Sequence, residues 1–577
     1  MVGPDSGSAT GRWVRFPAMP TRPDGLRAVP ATEIRHPEPA SPEDTYVLAV
    51  DLGTGGPKVA VLSATGRIAA HAFQAVGIDL TSDGGAEQSP SAWWEAIVDS
   101  ARRALADSGV SPERVVGVGC TSQWSGTVPV DEAGEAIGPA ITWMDSRGAH
   151  AVRETVRGTL NVQGYSASKL ARWVRRTGGI PSLSGKDPVG HIHFLREQRP
   201  DVYAAAAVFL EPVDYLNLRL TGLARASHDS ITLHWVTDNR DIGAIAYDDS
   251  LVELAGLERS TLPDLVPTGS VLGGLAAGPA AELGLLPGTP VVTGTGDLHS
   301  AAVGSGAVAD FDAHLYIGTS SWISCHVPFK KTDALTNIAS IPSGIPGRYL
   351  LADEHETGGA CLTWLRDNLL FPDDALSGPG PGPGADGFFA ILNDMASSVP
   401  TGSNGVLFTP WLNGERSPVD DHTIRAGFHN ISLSSTRSDM VRAVFEGVAL
   451  NSAWLLGAVE KFCKRRFGSL AFVGGGANSD LWSQIHADAT GRTIRQIADP
   501  VLANVRGAGL LTLLALGHIT VDDIPGTVQV QATYEPDPAS AAVYADLIKE
   551  FVNLYEKTKA IHKRLNGGRL HRASPMA

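Results

Sequence analysis

A short pattern written twice constrains this chain more than anything else in it. Asp51-Leu52-Gly53-Thr54-Gly55-Gly56, with Lys58 just after, lies near the start, and Tyr316-Ile317-Gly318-Thr319-Ser320-Ser321 lies past the middle. Each follows an apolar run that reads as a buried strand, residues 46–50 and 313–317. Each then turns through small residues into a second apolar run. Two glycine-containing hairpin turns, one in each half, suit the gripping of a polyphosphate from two sides. Such turns bring backbone N–H groups close to an anion, and glycine removes the Cβ that would hold the chain away.

A chain of 577 residues is too long for one core, so at least two domains are expected. With 46 basic against 61 acidic residues the net charge is −15, which argues against a general nucleic-acid or anionic-membrane binder and leaves room for a local phosphate site. The four cysteines, Cys120, Cys325, Cys361 and Cys463, are scattered without paired spacing. Neither a disulfide framework nor a zinc site is indicated, and a reducing, cytoplasmic compartment fits. No apolar run is long enough to span a bilayer. Residues 1–44 are rich in Pro, Arg, Ser and Gly, lack sustained periodicity and lack the apolar stretch of a signal peptide. They are expected to form a disordered extension, with Met19 as an alternative start.

Strands are expected at 46–50, 58–62 and 67–74, then a helix after Ser89-Pro90-Ser91 whose Trp94, Ile97, Val98, Ala101 and Leu105 share one face. A fourth strand at 115–120 leads into a loop with Gln123, Trp124 and Ser125. A three-stranded meander followed by helix and strand is a mixed α/β pattern, unlike the strict alternation of a Rossmann domain. Residues 169–222 read as helices with a stop at Leu220-Thr221-Gly222. A first domain over 45–289 and a second over 290–565 are expected, the second opening with a strand at 291–293. Residues 377–384 read as a flexible Gly/Pro loop, 438–460 as a long helix, 470–473 as a strand before Gly474-Gly475-Gly476, and 566–577 as a frayed tail. Trp93, Trp94 and Trp173 are expected in the core, His191 and His193 on a helix surface, and Arg172, Arg175 and Arg176 on a solvated face.

The usual phosphate motifs are missing. No G-x-x-x-x-G-K-[ST] occurs, and Gly304-Ser305-Gly306-Ala307-Val308-Ala309 sits in a small-residue, helical-looking run. Asp297 follows a strand and a Gly-x-Gly turn, so its carboxylate can project into a cleft and accept a proton. The same position would equally suit the cap of a helix starting near Leu298, and the residues alone divide these readings evenly.

Several segments in order carry a resemblance: Asp51-Leu52-Gly53-Thr54 with Lys58; Trp143-Met144-Asp145-Ser146-Arg147; Asp214-Tyr215-Leu216 with Arg219-Leu220-Thr221-Gly222; Gly294-Thr295-Gly296-Asp297; Gly318-Thr319-Ser320; Gly414-Glu415-Arg416 with Pro418; Glu446-Gly447; and Gly474-Gly475-Gly476-Ala477. Over residues 46–560 the chain resembles the FGGY family of carbohydrate kinases, xylulokinase-like, within the actin-like ATPase superfamily. The resemblance implies an α/β protein of two actin-like (ribonuclease H-like) domains, with MgATP and a sugar meeting in the cleft between them. It implies Asp297 as catalytic base against the sugar, and Asp51 as the residue holding Mg2+ through water. Gly53, Thr54 and Lys58 would face the transferring phosphate, Gly318, Thr319 and Ser320 its other side, and Gly475, Gly476, Ala477 and Asn478 would lie under the adenosine. Gln123, Trp124, Ser125 and Asp145 would line the sugar site.

Two departures bear on the acceptor. The pentulose branch commonly reads Gln-Met-His-Gly where this chain has Gln123-Trp124-Ser125-Gly126. Asn or Gln usually follows the catalytic Asp, where this chain has Leu298, which cannot hydrogen-bond a hydroxyl. A ketopentose such as D-xylulose is the expected acceptor, with another ketose, a polyol or a sugar acid as alternatives. A non-catalytic sugar- or nucleotide-sensing protein on the same scaffold is the second reading, and a chaperone- or filament-type ATPase the third. The expected partner is a small sugar, without nucleic acid or membrane, and a homodimer is one expected assembly.

Overall fold

Two β-hairpins seed the two halves of the molecule. The structure, a computed structural model, describes residues 28–30, 44–162, 164–372 and 385–567. In the first half Tyr46–Gly53 and Gly56–Ser63 pair antiparallel across the two-residue turn Thr54-Gly55, and Ile68–Phe73 extends the meander. The helix Pro90–Ser108 follows. Ser89 accepts from the Ala92 N–H at its start, proline occupies its first turn, and Gly109 at φ 64° ends it. Its buried face holds Trp93, Trp94, Ile97 and Ala101. The chain then returns as Val115–Ser122, parallel to the central strand Tyr46–Gly53.

The second half repeats this plan. Ala313–Ile317 and Ser321–Val327 form the hairpin, Tyr349–Ala352 and Ile338–Pro342 continue it antiparallel, and Ser469–Val473 and Thr493–Ile497 lie parallel on the other flank. The buried helix Arg437–Cys463, capped by a reciprocal Thr436–Asp439 pair, carries Val444, Phe445 and Val448 into this half's core.

Several expectations need correction. The strand at 291–293 was to open the second domain; Pro290–Val292 instead joins the first sheet, parallel to Val115–Ser122. Val291 and Val292 are fully or almost fully buried there, and an apolar run says that a strand is central without saying in which sheet. Region 169–222 is not all helical, because Val208–Leu210 pairs with Val128–Val130 between two of its helices. His191 and His193 are buried, not on a surface: His191 Nδ1 meets Thr127 Oγ1 at 3.1 Å and His193 Nε2 meets Ala255 O at 2.8 Å. Within the stretch expected to lack structure, Ala28–Pro30 pairs antiparallel with Val530–Tyr534. The expected loop at 377–384, and the tail beyond residue 567, lie outside the described residues.

Between the sheets two helices cross, Asp297–Gly304 and Ala503–Ala515. They touch backbone to backbone. A Cβ on Gly304 would stand 1.8 Å from Ala503 O, and one on Gly507 1.9 Å from Ser300 O. Arg506 donates to Gly304 O (3.1 Å) and Ala498 O (2.9 Å), satisfying the last carbonyl of the first helix. Val47 and Leu62 of the first sheet, Ala471 and Val473 of the second, and Leu510 and Leu513 of the second helix share one core. All four cysteines are buried and free. Among the described residues no helix is long and apolar enough to cross a membrane.

Candidate active site

Asp51 and Lys58 are direct cross-strand partners, so register alone puts their side chains on one face. Lys58 Nζ donates to Asp51 Oδ2 at 3.3 Å, while Asp51 Oδ1 is buried with no hydrogen-bond partner among the described residues. At the tip of the hairpin Thr54 Oγ1 donates to Gln123 Oε1 (3.1 Å) and accepts from Trp143 Nε1 (3.0 Å). Gln123 Nε2 donates to Gln88 Oε1 (2.7 Å), and Gln88 Nε2 donates to Thr54 O (2.8 Å). Gly56, at φ 132°, lets the turn lie against Gln74, whose carbonyl a Cβ would meet at 2.0 Å.

The second turn is also held from behind. Gly318 N–H donates to Ser320 O (3.0 Å), and Gly358 and Gly359 N–H groups donate to Thr319 O and Gly318 O, both at 2.8 Å. A Cβ on Gly359 would lie 2.6 Å from Gly318 O. The sequence analysis missed this glycine pair, although a doublet shortly after a strand was the available signal. The run Gly474–Gly476 follows the neighbouring parallel strand and packs on the same turn: a Cβ on Gly474 would meet Ile317 O at 2.5 Å, and one on Gly476 would meet Ile317 Cβ at 2.8 Å.

A cavity of about 620 Å³ joins the two turns. Asp51, Gly53, Thr54, Lys58, Trp124, Ser125, Asp297, Gly318, Thr319 and Ser320 all line it. Asp297 lies in the first turn of its helix, with Gly296 as the cap, and its Oδ1 accepts from the Leu298 N–H at 2.9 Å. The capping role is therefore not its own. Burial pushes its pKa up to about 7, and the negative charges of Asp51 and Glu354 push the same way. A carboxyl tuned near neutrality, set between two glycine-containing turns, is a proton acceptor suited to a hydroxyl being phosphorylated.

Two expected sugar contacts fall outside this cavity. Gln123 is spent behind Thr54. Asp145 is fully buried, accepting from Ala86 N–H (2.9 Å), Arg147 N–H (2.9 Å) and the Arg147 guanidinium. Gly475, Gly476, Ala477 and Asn478 also lie outside it, one strand beyond the second turn; Gly475 and Asn478 are exposed, and Ala477 is in the core. Ser125 adopts φ 64° and donates to Lys186 O (2.9 Å). Residues the sequence analysis did not assign enter the wall: Lys186, Asp187, Asp353, Glu354 and Asn504. Lys186 pairs with Glu356 at 3.3 Å, and Arg416 with Glu354 and Glu356, both at 2.5 Å.

The first half, residues 46–304, matches the N-terminal domain of the FGGY family of carbohydrate kinases, and residues 314–516 match its C-terminal domain. The chain belongs to the FGGY family. A Staphylococcus epidermidis xylulose kinase is 27% identical over 524 residues, covering 89% of this chain and 97% of that protein. A Klebsiella pneumoniae autoinducer-2 kinase is 28% identical over 534 residues, covering 89% and 94%. The fold matches that of a gluconate kinase from Lactobacillus acidophilus with a TM-score of 0.77 at 21% identity, over 90% of this chain and all of that one. The FGGY match establishes an ATP-dependent sugar kinase with two actin-like domains. It sets aside the chaperone and filament readings.

Proposed function

We propose that this FGGY kinase transfers the γ-phosphate of ATP to a hydroxyl of a neutral ketose, with Asp297 as the base and D-xylulose as the first acceptor to test. The supporting observation is the single cavity that holds Asp297 between Gly53-Thr54 and Gly318-Thr319-Ser320. The turns would hold the phosphates through backbone N–H groups and Lys58 would offset their charge, while Asp297 takes the hydroxyl proton as the new bond to phosphorus forms. The exposed Gly475 and Asn478 beside the second turn would receive the adenosine.

The buried, unpartnered Oδ1 of Asp51 beside Lys58 and Asp297 suits a hydrated Mg2+. Such an ion would supply charge neutralisation for the phosphates, with Asp51 as its anchor in the protein. A sugar acid fits less well. Among the described residues the basic side chains in the wall, Lys58, Lys186, Arg416 and His422, each already face a carboxylate at 3.3 Å or less. An aldonate carboxylate would enter without an uncommitted cation.

Coupled ADP release, measured with MgATP against ketopentoses, ketohexoses, tetritols, glycerol and gluconate, tests the reading. A neutral ketose should be turned over, and Asp297→Asn should lose that turnover while keeping ATP binding. Gluconate as the preferred acceptor would overturn the neutral-ketose assignment, and near-normal turnover by Asp297→Asn would overturn the base.

A further inference from the structure

Beyond Asp297 the cavity wall turns apolar. Trp124, Leu298 and Trp322 line it, less than a tenth exposed, together with Ile341, Leu233 and Ala339, and all six belong to one apolar cluster. They come from separate segments, so this surface is assembled by the fold.

The aromatic residues there offer ring area and little else. Four tryptophans line the cavity, and each donates its indole N–H into the protein. Trp124 donates to Ser230 O (2.8 Å), Trp143 to Thr54 Oγ1 (3.0 Å), Trp235 to Asp187 Oδ2 (3.2 Å) and Trp322 to His314 Nε2 (3.0 Å). The one hydrogen of Ser125 Oγ is likewise donated to Lys186 O. Asp187 accepts from the Ser182 and Gly190 N–H groups as well as from Trp235. At the position beside the base stands Leu298, which has neither donor nor acceptor. A hydroxyl carried against Leu298, Trp124, Trp322 and Ile341 would leave water and find no partner on those four side chains; open acceptors elsewhere in the wall include Asp353 Oδ2 and Asn504 Oδ1.

We propose that the acceptor carries an apolar substituent, such as a deoxy or alkyl carbon, which seats against Leu298, Trp124, Trp322 and Ile341 while a hydroxyl faces Asp297. The acceptor class is then a deoxy or alkyl-bearing hydroxy ketone or polyol in preference to a fully hydroxylated sugar. This rests on Asp297 as the base, and it adds a selectivity that the base alone does not set. A tryptophan face can also stack on sugar C–H groups, but such a platform needs hydroxyl partners around it. Here the positions clustered with the rings include leucine, isoleucine and alanine, and the open acceptors Asp353 and Asn504 belong to the rest of the wall.

The test is a matched pair, D-xylulose against 1-deoxy-D-xylulose, with kcat/KM measured for the wild type, Leu298→Gln and Ile341→Thr. The deoxy compound should be preferred by about tenfold or more, the scale on which apolar pockets discriminate by a single group. Either substitution should move the ratio towards D-xylulose by about tenfold and leave the KM for ATP unchanged. Two variants at separate wall positions guard against one failing to fold. Preference for D-xylulose, an unchanged ratio in both variants, or turnover of neither compound would overturn the proposal. Turnover surviving in Asp297→Asn would overturn the base instead, and would leave the measured ratio to stand by itself.

Discussion

Asp297 meets two opposed demands. Its pKa is pushed from an ordinary 3.8 to about 7, so between those values the folded protein holds a proton that the unfolded chain has released. Folding stability contributed by this site therefore falls as pH rises through that window, just as the deprotonated base needed for transfer accumulates. We expect kcat/KM to rise with pH to about 7 and flatten above it, and Asp297→Asn to lower it by about 10³-fold or more at pH 8. The same variant should be more stable than the wild type at pH 8 by about 1–3 kcal/mol, with the gap closing towards pH 4, as thermal melts across pH would read out. Asp51 is one of the charges that raises Asp297. Asp51→Asn should shift the acidic limb of the pH profile of kcat/KM to lower pH while increasing the Mg2+ concentration needed for half-maximal rate. An unmoved limb would show that the two carboxylates do not act on each other.

At the level of elements, each turn depends on a backing that lies far from it in the chain. The second turn rests on Gly358 and Gly359 N–H groups, with no room for a side chain at Gly359. Gly359→Ala must push Gly318 aside, so we expect a several-fold rise in the KM for ATP and a loss of about 1–3 kcal/mol of stability, read by steady-state kinetics and denaturant melts. The hairpins themselves were legible in the sequence, because an apolar run ending in Gly-Thr and small residues specifies both strand and turn. The place of Asp297, after a strand and a Gly-x-Gly turn, was legible for the same reason, while its choice between base and helix cap was not. The directions of Gln123 and Asp145 were not legible, because sequence gives a residue's type and not its direction. The amide of Gln123 is turned to Gln88 and Thr54, and the carboxylate of Asp145 to Ala86 and Arg147. The apolar wall was signalled only by Leu298, since Leu233, Trp322 and Ile341 reach it from segments that share no local pattern. The misplaced strand at 290–292 has the same origin, because local apolarity marks burial and leaves the choice of sheet to tertiary pairing.

Taken whole, the molecule is two sheets joined through a pair of crossed helices, one carrying Asp297 and the other following the last parallel strand of the second sheet. Gly507→Ala would place a methyl 1.9 Å from Ser300 O, a contact that backbone cannot yield without shifting the helix that carries the base. We expect that variant to lose kcat by about tenfold or more with acceptor binding less affected, separable by comparing turnover with calorimetric affinity. The crossing at Gly304 and Gly507 is made by bare main chain, held by Arg506 and by the core that Val47, Leu62, Leu510 and Leu513 share, none of which lines the cavity. The contacts that make the joint are therefore not the ones that line the cavity. Leu298, Ile341 or Trp124 can be exchanged, by mutation over generations or at the bench, without re-machining the part that brings the two halves together. A scaffold with that separation can change its acceptor while its phosphate transfer stays as it was.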